Sequence, residues 1–426
     1  MSQPTDLAGW LAQLESRNRD AIVLGLERVR AVADRLGLEP DFPVITVGGT
    51  NGKGSVCAYL EAMLLAAGIR VGCYTSPHLL RYNERVRIAG QEAMDEALCR
   101  AFAAVESVRS DIPLTYFEQG TLAALWLFRQ ANVEAVILEV GLGGRLDAVN
   151  IWDPECAVVT SVDLDHQAFL GDTREAIGFE KAGIFRPGRP AVCGDPVPPT
   201  SLLEHARDLG ARLLRLDRDM RIEEQGETWS LRVNEAVFPA LPRPAMVGAH
   251  QLANAACAIA ALETLRHRLP VPRQALRHGL VQARQPGRFQ VVGRQPLRIL
   301  DVAHNPHAAR ALAANLASLG ARTGEGGWII AVLAMLSDKD VGGVIGPLLP
   351  LVGSWHVAGL AGPRGLAGEV LGRELARLDA RYQVHGCPAE AWLAACREAA
   401  AADTIIAFGS FYTVAELMTE IPPTHG

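Results

Sequence analysis

Short apolar, β-branched runs recur along this chain, and each is followed by a stretch with helical spacing. They read "FPVITVGG" before 53–67, "IRVGCYTS", "EAVILEVG", and "CAVVTSV" before 173–184. A strand that is apolar on both faces needs cover on both faces, so the pattern predicts a parallel sheet under helices, an α/β class. The interval 212–241 is more polar, alternates in strand fashion and has Gly at a turn; it predicts a small antiparallel addition. Helices are expected over 248–266 and 271–284. The stretch "ARQPGRFQVVGRQP" then interrupts, and a second alternation begins with "LRILDVAH", "GWIIAVLAML", "SWHVAGLAG", "ARYQVHG" and "DTIIAFGS". Such a restart places a boundary near 285 and predicts domains at 1–284 and 285–426. The length agrees, because 426 residues exceed one typical core.

With 49% hydrophobic and 21% charged residues the chain is globular, not disordered. Its net charge is −6 and like charges do not cluster, so the electrostatic footprint of a nucleic-acid partner is missing. Eight cysteines occur without a C-x-x-C pair, a usage that suits a reducing cytosol. The first residues form neither a basic region nor an apolar leader, and no apolar run reaches spanning length. A cytoplasmic protein with no membrane partner is expected.

Residues 47–55 read "VGGTNGKGS" and resemble a phosphate loop that breaks the usual rule. In G-x-x-x-x-G-K-[ST] a hydroxyl follows the Lys at once. Here Val47 stands at the first Gly, Gly54 follows Lys53, and the hydroxyl is delayed to Ser55. The context still suits phosphate. Strand 42–48 feeds a Gly-rich turn that opens a helix, where backbone N–H groups can hold phosphate oxygens. Lys53 would add positive charge on the outer phosphates and Ser55 a hydroxyl for Mg²⁺. Without a nucleotide, the segment is a glycine turn that contains a lysine.

Ligands of an open α/β sheet bind at the carboxyl ends of its strands. Strand 133–140 ends in "LEVGLGGRLDAVN", which puts Glu139 there; a carboxylate in an apolar strand needs a cation or a partner such as Arg145. Strand 156–162 runs into "SVDLDHQAFLG" and offers His166, either a structural histidine or a ligand. In "FEKAGIF", Lys181 lies on a helix among apolar neighbours. It is either a solvated face residue or a desolvated, nucleophilic amine.

Taken together, "GGTNGKGS", "TSPHL", "YFEQGTLAA", "LEVGLGGRLDAVN", "DHQAFLG", "EKAGI", "GAHQLANAACAI", "PGRF", "DVAHNP" and "FGSFYTV" resemble, in this order, the folylpolyglutamate synthases. The chain is most similar to the bacterial bifunctional dihydrofolate synthase/folylpolyglutamate synthases of the Mur ligase superfamily. That family has G-K-G-S where the Mur ligases carry a hydroxyl directly after the Lys. The resemblance implies a Mur-ligase-like P-loop ATPase domain with a second, smaller α/β domain. It implies ATP and two Mg²⁺ ions, with dihydropteroate, reduced folates and L-glutamate as small-molecule partners, and a monomer.

By the same resemblance Gly49, Thr50, Asn51, Gly52, Lys53, Gly54 and Ser55 form the phosphate loop. Ser55, Ser76, Glu139 and His166 are candidate magnesium ligands, and Lys181 matches a lysine that can be carbamylated and hold a second ion. His250 and Asn254 fall where the family contacts adenine; Arg288 and Asp301 match further nucleotide contacts. Asp301, His304, Ser410 and Tyr412 match the glutamate site, with Lys53, Lys181 and His304 as catalytic candidates. Pro77, His78, Arg81, Phe117 and Asp147 are the folate candidates, and Phe117 has the ring to stack on a pterin. Each has a plainer reading: Asn254 a surface residue, Tyr412 and Phe117 core aromatics, Asp301 a turn former.

The implied reaction is ATP-dependent: a substrate carboxylate takes the γ-phosphoryl group, and the glutamate amine displaces phosphate. Three competitors stay open. One keeps a single activity, folylpolyglutamate synthase or dihydrofolate synthase. Another has a different acceptor, as in the Mur ligases, although only about 40 residues precede the loop, too few for a separate nucleotide-sugar domain. The third is a non-catalytic P-loop nucleotide-binding regulator.

Overall fold

The structure is a computed structural model that describes residues 4–17, 23–323 and 327–421. Parts of the two expected domain spans, 1–3, 18–22, 324–326 and 422–426, lie outside the described residues. The chain divides into two compact units. One comprises residues up to Ala245 together with Gln251–Arg284; the other comprises Met246–His250 and the chain from Gln285 onward.

The first unit is built on a sheet of eight strands: β1 (Val44–Gly48), β2 (Val71–Tyr74), β3 (Val86–Ile88), β4 (Gln91–Glu92), β5 (Ala135–Glu139), β6 (Cys156–Val159), β7 (Pro190–Cys193) and β8 (Arg212–Arg215). Their order is β4-β3-β2-β5-β1-β6-β7-β8. Pairing is parallel from β2 to β8 and antiparallel at β3 and β4. Every residue of β1 and β5 is buried, as their mostly apolar sequences lead one to expect, Thr46 and Glu139 included. Helix Lys53–Ala66 follows β1 and is buried over most of its circumference.

Register positions the site. Val47 of β1 pairs with Glu139 of β5, and Gly48 pairs with Val159 of β6. The loop after β1, the carboxylate closing β5 and the segment after β6 therefore leave the sheet at one level. That is the carboxyl edge where open α/β sheets place ligands.

The antiparallel addition is smaller than the alternation suggested. It comprises β9 (Met220–Gln225), β10 (Thr228–Val233) and β11 (Ala236–Pro242), in the order β11-β10-β9. Arg212–Arg215, expected within it, is instead the parallel edge strand β8, reached from β7 through helix Thr200–Leu209. An edge strand is half exposed in either pairing, so period-2 alternation does not distinguish them.

The second unit holds β12 (Gln290–Arg294), β13 (Leu297–Leu300), β14 (Ile329–Leu333), β15 (Val352–Ala358), β16 (Tyr382–His385) and β17 (Thr404–Phe408), ordered β12-β13-β17-β14-β15-β16. All neighbours are parallel except β12 with β13. The Pro/Gly/Arg interruption thus contains a strand of its own, which its turn residues concealed. Its core is formed by Ile299, Leu316, Leu333, Trp355, Val357, Leu371 and Phe408, among others. Among the described residues no helix is long and apolar enough to cross a membrane.

Candidate active site

The loop after β1 is held by the backbone that follows β6. Thr50 N–H donates to the Ser161 carbonyl at 2.7 Å, and Thr50 Oγ1 to the Asp163 carbonyl at 3.0 Å. Thr160 Oγ1 donates to the Asn51 carbonyl at 2.6 Å, and Asn51 N–H to Ser161 Oγ at 3.2 Å. Gly49 has φ +144°, and a Cβ there would overlap Thr160 Oγ1. Gly52 has φ +90°, and a Cβ there would come within 2.5 Å of Asn254 Oδ1. Glycine is required at both by space as well as by dihedral.

Gly52 opens helix Lys53–Ala66 with no side-chain cap, which directs the first-turn N–H groups to the loop. The Lys53 ammonium curls over the loop and donates to the Gly49 and Thr50 carbonyls at 3.1 and 3.2 Å. Ser55 is buried in the first turn of that helix. Asn254, buried instead of lying on a helix surface, faces Gly52.

Glu139 is buried at the end of β5, and its carboxylate accepts the Ser76 backbone N–H at 3.1 Å. Arg145, the alternative partner, pairs with Glu180 at 2.7 Å, because the glycine-rich turn docks on the end of helix Arg174–Ala182. Arg145 N–H donates to the Glu180 carbonyl at 2.8 Å, and a Cβ on Gly144 would lie 2.8 Å from the same oxygen.

This docking brings Lys181 to the loop. Lys181 is 4% exposed, which decides against the solvated-face reading. Burial, and then the field of Lys53, lower its pKa to about 7, against the pull of Asp165 and Asp147. Asp147 accepts the Leu142 and Val149 N–H groups at 2.8 and 3.1 Å. Burial raises its pKa to about 6, although those bonds and Lys53 act in the opposite direction. Lys53, Asp147, Asp165 and Lys181 thus form one electrostatic constellation.

Of the folate candidates, Phe117 and Asp147 flank Gly141, where a Cβ would lie 2.8 Å from the Phe117 ring and 3.3 Å from Asp147 Oδ2. Phe117 also packs on Tyr74, with ring centroids 5.7 Å apart. His78 belongs to a second cluster. Arg85 Nε donates to its Nδ1 at 2.8 Å, and the guanidinium stands over the rings of Tyr82 and Tyr116. Burial and then Arg85 lower the His78 pKa to about 4, leaving the imidazole neutral with its Nε2–H as donor. Pro77 is exposed, and Arg81 is exposed and paired with Asp95.

The fold family implies a divalent cation. Ser55, Ser76, Glu139 and His166 offer two hydroxyls, one carboxylate and one imidazole, and among the described residues no group of three His, Cys, Asp or Glu has metal-holding spacing. So sparse and hard a donor set fits Mg²⁺, which keeps waters and phosphate oxygens as most of its ligands. His166 has φ +51° and opens the short helix Gln167–Leu170, 38% of its side chain being exposed.

The second unit gathers another group. Asp301 accepts the Phe289 and Ala303 N–H groups at 2.8 and 2.7 Å; burial raises its pKa while Arg288 opposes. Arg288 stands 5.6 Å from the centre of the Phe411 ring, and His304 lies 5.9 Å from the same ring. His304 Nδ1 is 2.7 Å from the Val302 carbonyl, so Nδ1 carries the proton. His250 is exposed at the start of helix His250–Thr264. Ser410 is buried as the N-cap of helix Phe411–Glu420, accepting Thr413 N–H at 2.9 Å. Tyr412 is 63% exposed, not a core aromatic. Sequence reasoning did not single out Thr160, Arg85, His307 and Phe411, although Thr160 lies inside the quoted "CAVVTSV" and Phe411 inside the quoted "FGSFYTV".

Residues 47–194 match the Mur ligase middle domain and 287–411 the Mur ligase glutamate ligase domain. The chain is 47% identical to the dihydrofolate synthase/folylpolyglutamate synthase of Escherichia coli (strain K12), over 97% of this chain and 95% of that protein. The solved structure of E. coli FolC in complex with DHPP and ADP superposes with a TM-score of 0.93 at 47% identity, covering 99% of both chains. The bifunctional folylpolyglutamate synthase/dihydrofolate synthase of Yersinia pestis, complexed with AMPPNP and Mn ion, gives 0.92 at 48%, again over 99% of both. The chain belongs to the dihydrofolate synthase/folylpolyglutamate synthase family of Mur ligases and is an ATP-dependent, amide-bond-forming ligase.

The packing of Gly49 on Thr160 makes a test of the loop. Gly49→Ala is expected to cost about 1–3 kcal/mol of stability through overpacking, and to weaken ATP binding at least about tenfold. Adding Thr160→Ala, which removes the overlapped hydroxyl, should restore part of the affinity. Calorimetric titration checks both; parental affinity in Gly49→Ala would contradict the geometry.

Proposed function

We propose that the enzyme joins L-glutamate both to dihydropteroate, forming dihydrofolate, and to reduced folates, forming folylpolyglutamates, through an acyl phosphate. The observation that carries this reading is Lys53, on a phosphate loop, in the field of the buried Asp147 and Lys181. A carboxylate and a triphosphate repel each other, and a site that brings them together must supply positive charge.

Lys53 and the first-turn N–H groups hold the outer phosphates and take up charge as the γ-phosphoryl group departs. The acceptor carboxylate attacks γ-phosphorus; the bond to the β-γ bridging oxygen breaks, and ADP leaves. The glutamate amine then attacks the acyl carbon, loses a proton, and inorganic phosphate departs as the amide forms. Phe117 and Asp147 suit the flat face and the N–H groups of a pterin. Arg288, His250, Asn254 and Asp301 are assigned to the nucleotide, and His304 to the incoming glutamate. Ser410 supports that site as a helix cap, and Tyr412 has the exposure a ligand contact needs.

Ser55, Ser76, Glu139 and His166 would hold Mg²⁺, which neutralises phosphate charge when bound. Lys181 is suited to carbamylation: CO₂ adds to a neutral amine, the C–N bond forms, one proton is released, and the cation becomes an anion able to hold a second ion. Eight unpaired thiols support a cytoplasmic setting. The net charge of −6 gives nucleic acid no footing, and the working form is taken to be a monomer.

ADP release with Mg-ATP and L-glutamate should rise with dihydropteroate and, in a separate reaction, with tetrahydrofolate. Lys53→Ala should lower kcat/KM roughly 100-fold or more with either. Release with one acceptor alone would reduce the enzyme to one activity, and nucleotide binding without acceptor-dependent release would favour a regulator. For Lys181, the neutral amine dominates above pH 7 and is lost below it. A carbamate signal from ¹³C-bicarbonate should therefore be present at pH 8, fade as pH falls through about 7, and be missing in Lys181→Met. An identical spectrum from that variant would overturn the carbamate.

A further inference from the structure

Helix His250–Thr264 is buried on almost every side, and a polar side chain in such a helix is costly unless it is bonded. Gln251 and Asn254 nevertheless lie one turn apart on it, 2% and 7% exposed. They face Gly52, Ser55 and Tyr59, whose spacing puts them on one side of the phosphate-loop helix. Asn254 Nδ2 donates to Gln251 Oε1 at 3.1 Å, and the Tyr59 hydroxyl reaches the same oxygen at 3.4 Å. Gln251 Nε2 lies 3.4 Å from Ser55 Oγ. Two donors converging on Oε1 fix the amide, so its NH₂ group must point at Ser55.

We infer that Gln251 is a positioning residue for the Ser55 hydroxyl. A serine oxygen has two lone pairs and one proton. With one lone pair taken by Gln251, the other lone pair and the proton are directed to the phosphate loop, where a cation and a nucleotide meet. The 3.4 Å separation leaves room for the bond to shorten when Ser55 takes a ligand. The inference rests on the proposed role of Ser55 as a magnesium ligand. It makes Gln251 a link between the cation and Asn254, whose amide it holds against Gly52. The competing account is that the polar seam merely sets the register of two helices. That account gives the cation no part.

The test is the affinity of a fluorescent ADP analogue, titrated with Mg²⁺ and measured separately in EDTA. The proteins are the parent, Ser55→Ala, Gln251→Glu, Gln251→Met and Tyr59→Phe. Gln251→Glu keeps the acceptor for Tyr59 and Asn254 but has no donor for Ser55; Gln251→Met has neither and adds no charge. In both, the Mg²⁺ concentration at half-enhancement should rise about 10- to 100-fold, the usual effect of losing a group that orients a metal ligand. Affinity in EDTA should change little in Gln251→Glu, which keeps the acceptor for Asn254, and Tyr59→Phe should keep the parental midpoint. Equal losses with and without Mg²⁺, or parental midpoints in both Gln251 variants, would overturn the inference. A Ser55→Ala shift beside unshifted Gln251 variants overturns the inference alone. A parent whose ADP affinity ignores Mg²⁺ overturns the role of Ser55 as well. Thermal unfolding in EDTA separates loss of fold from loss of orientation.

Discussion

Two ammonium groups within each other's field, one of them buried, are tolerable only if anions stand close or one group gives up its proton. Lys53 and Lys181 are in that position, and the surrounding structure answers both ways. Asp147 and Asp165 face Lys181, and its pKa falls to about 7. The docking that buries Lys181 depends on the glycine-rich turn after β5, whose Gly144 lets the backbone reach the end of helix Arg174–Ala182. The loop that carries Lys53 is fixed by Thr160 and Ser161 after β6. Three consecutive positions in the sheet order, β5, β1 and β6, thereby hold one electrostatic site.

Such a site suits phosphoryl transfer from ATP to a carboxylate, where the obstacle is repulsion between anions. Preorganised positive charge with little water nearby lowers that barrier without costing reorganisation at the moment of reaction. The depressed pKa of Lys181 also leaves it convertible. As an amine it relieves repulsion, and as a carbamate it would become an additional anion for a cation.

Much of this was legible in the chain itself, where local chemistry forced the residue choice. Gly49, Gly52, Lys53 and Ser55 were readable because close backbone approach, charge and hydroxyl occur together after an apolar strand. Glu139 stood out as a carboxylate closing an otherwise apolar run. What escaped depends on contacts distant in sequence. For Lys181 the residues alone left a solvated face and a desolvated amine both open, and it is the turn at 143–145 that decides between them by covering it, while diverting Arg145 to Glu180. Thr160 looks like any β-branched strand residue, although its hydroxyl braces the loop. Gln251, beside the recognised His250, carries no charge to mark it. Strand β8 could not be told from an antiparallel neighbour, since edge exposure gives both the same pattern. Ser410 was singled out through its motif, and its hydroxyl caps the helix that follows.

An acyl phosphate requires that a carboxylate oxygen leave with phosphorus, whereas direct condensation would keep that oxygen away from phosphate. The decisive experiment uses dihydropteroate labelled with ¹⁸O in its carboxylate, turned over with Mg-ATP and L-glutamate, and reads the isotope content of the released phosphate by mass spectrometry. One carboxylate ¹⁸O should appear in each phosphate formed. Amide formation with unlabelled phosphate would contradict the mechanism argued from Lys53, Asp147 and Lys181.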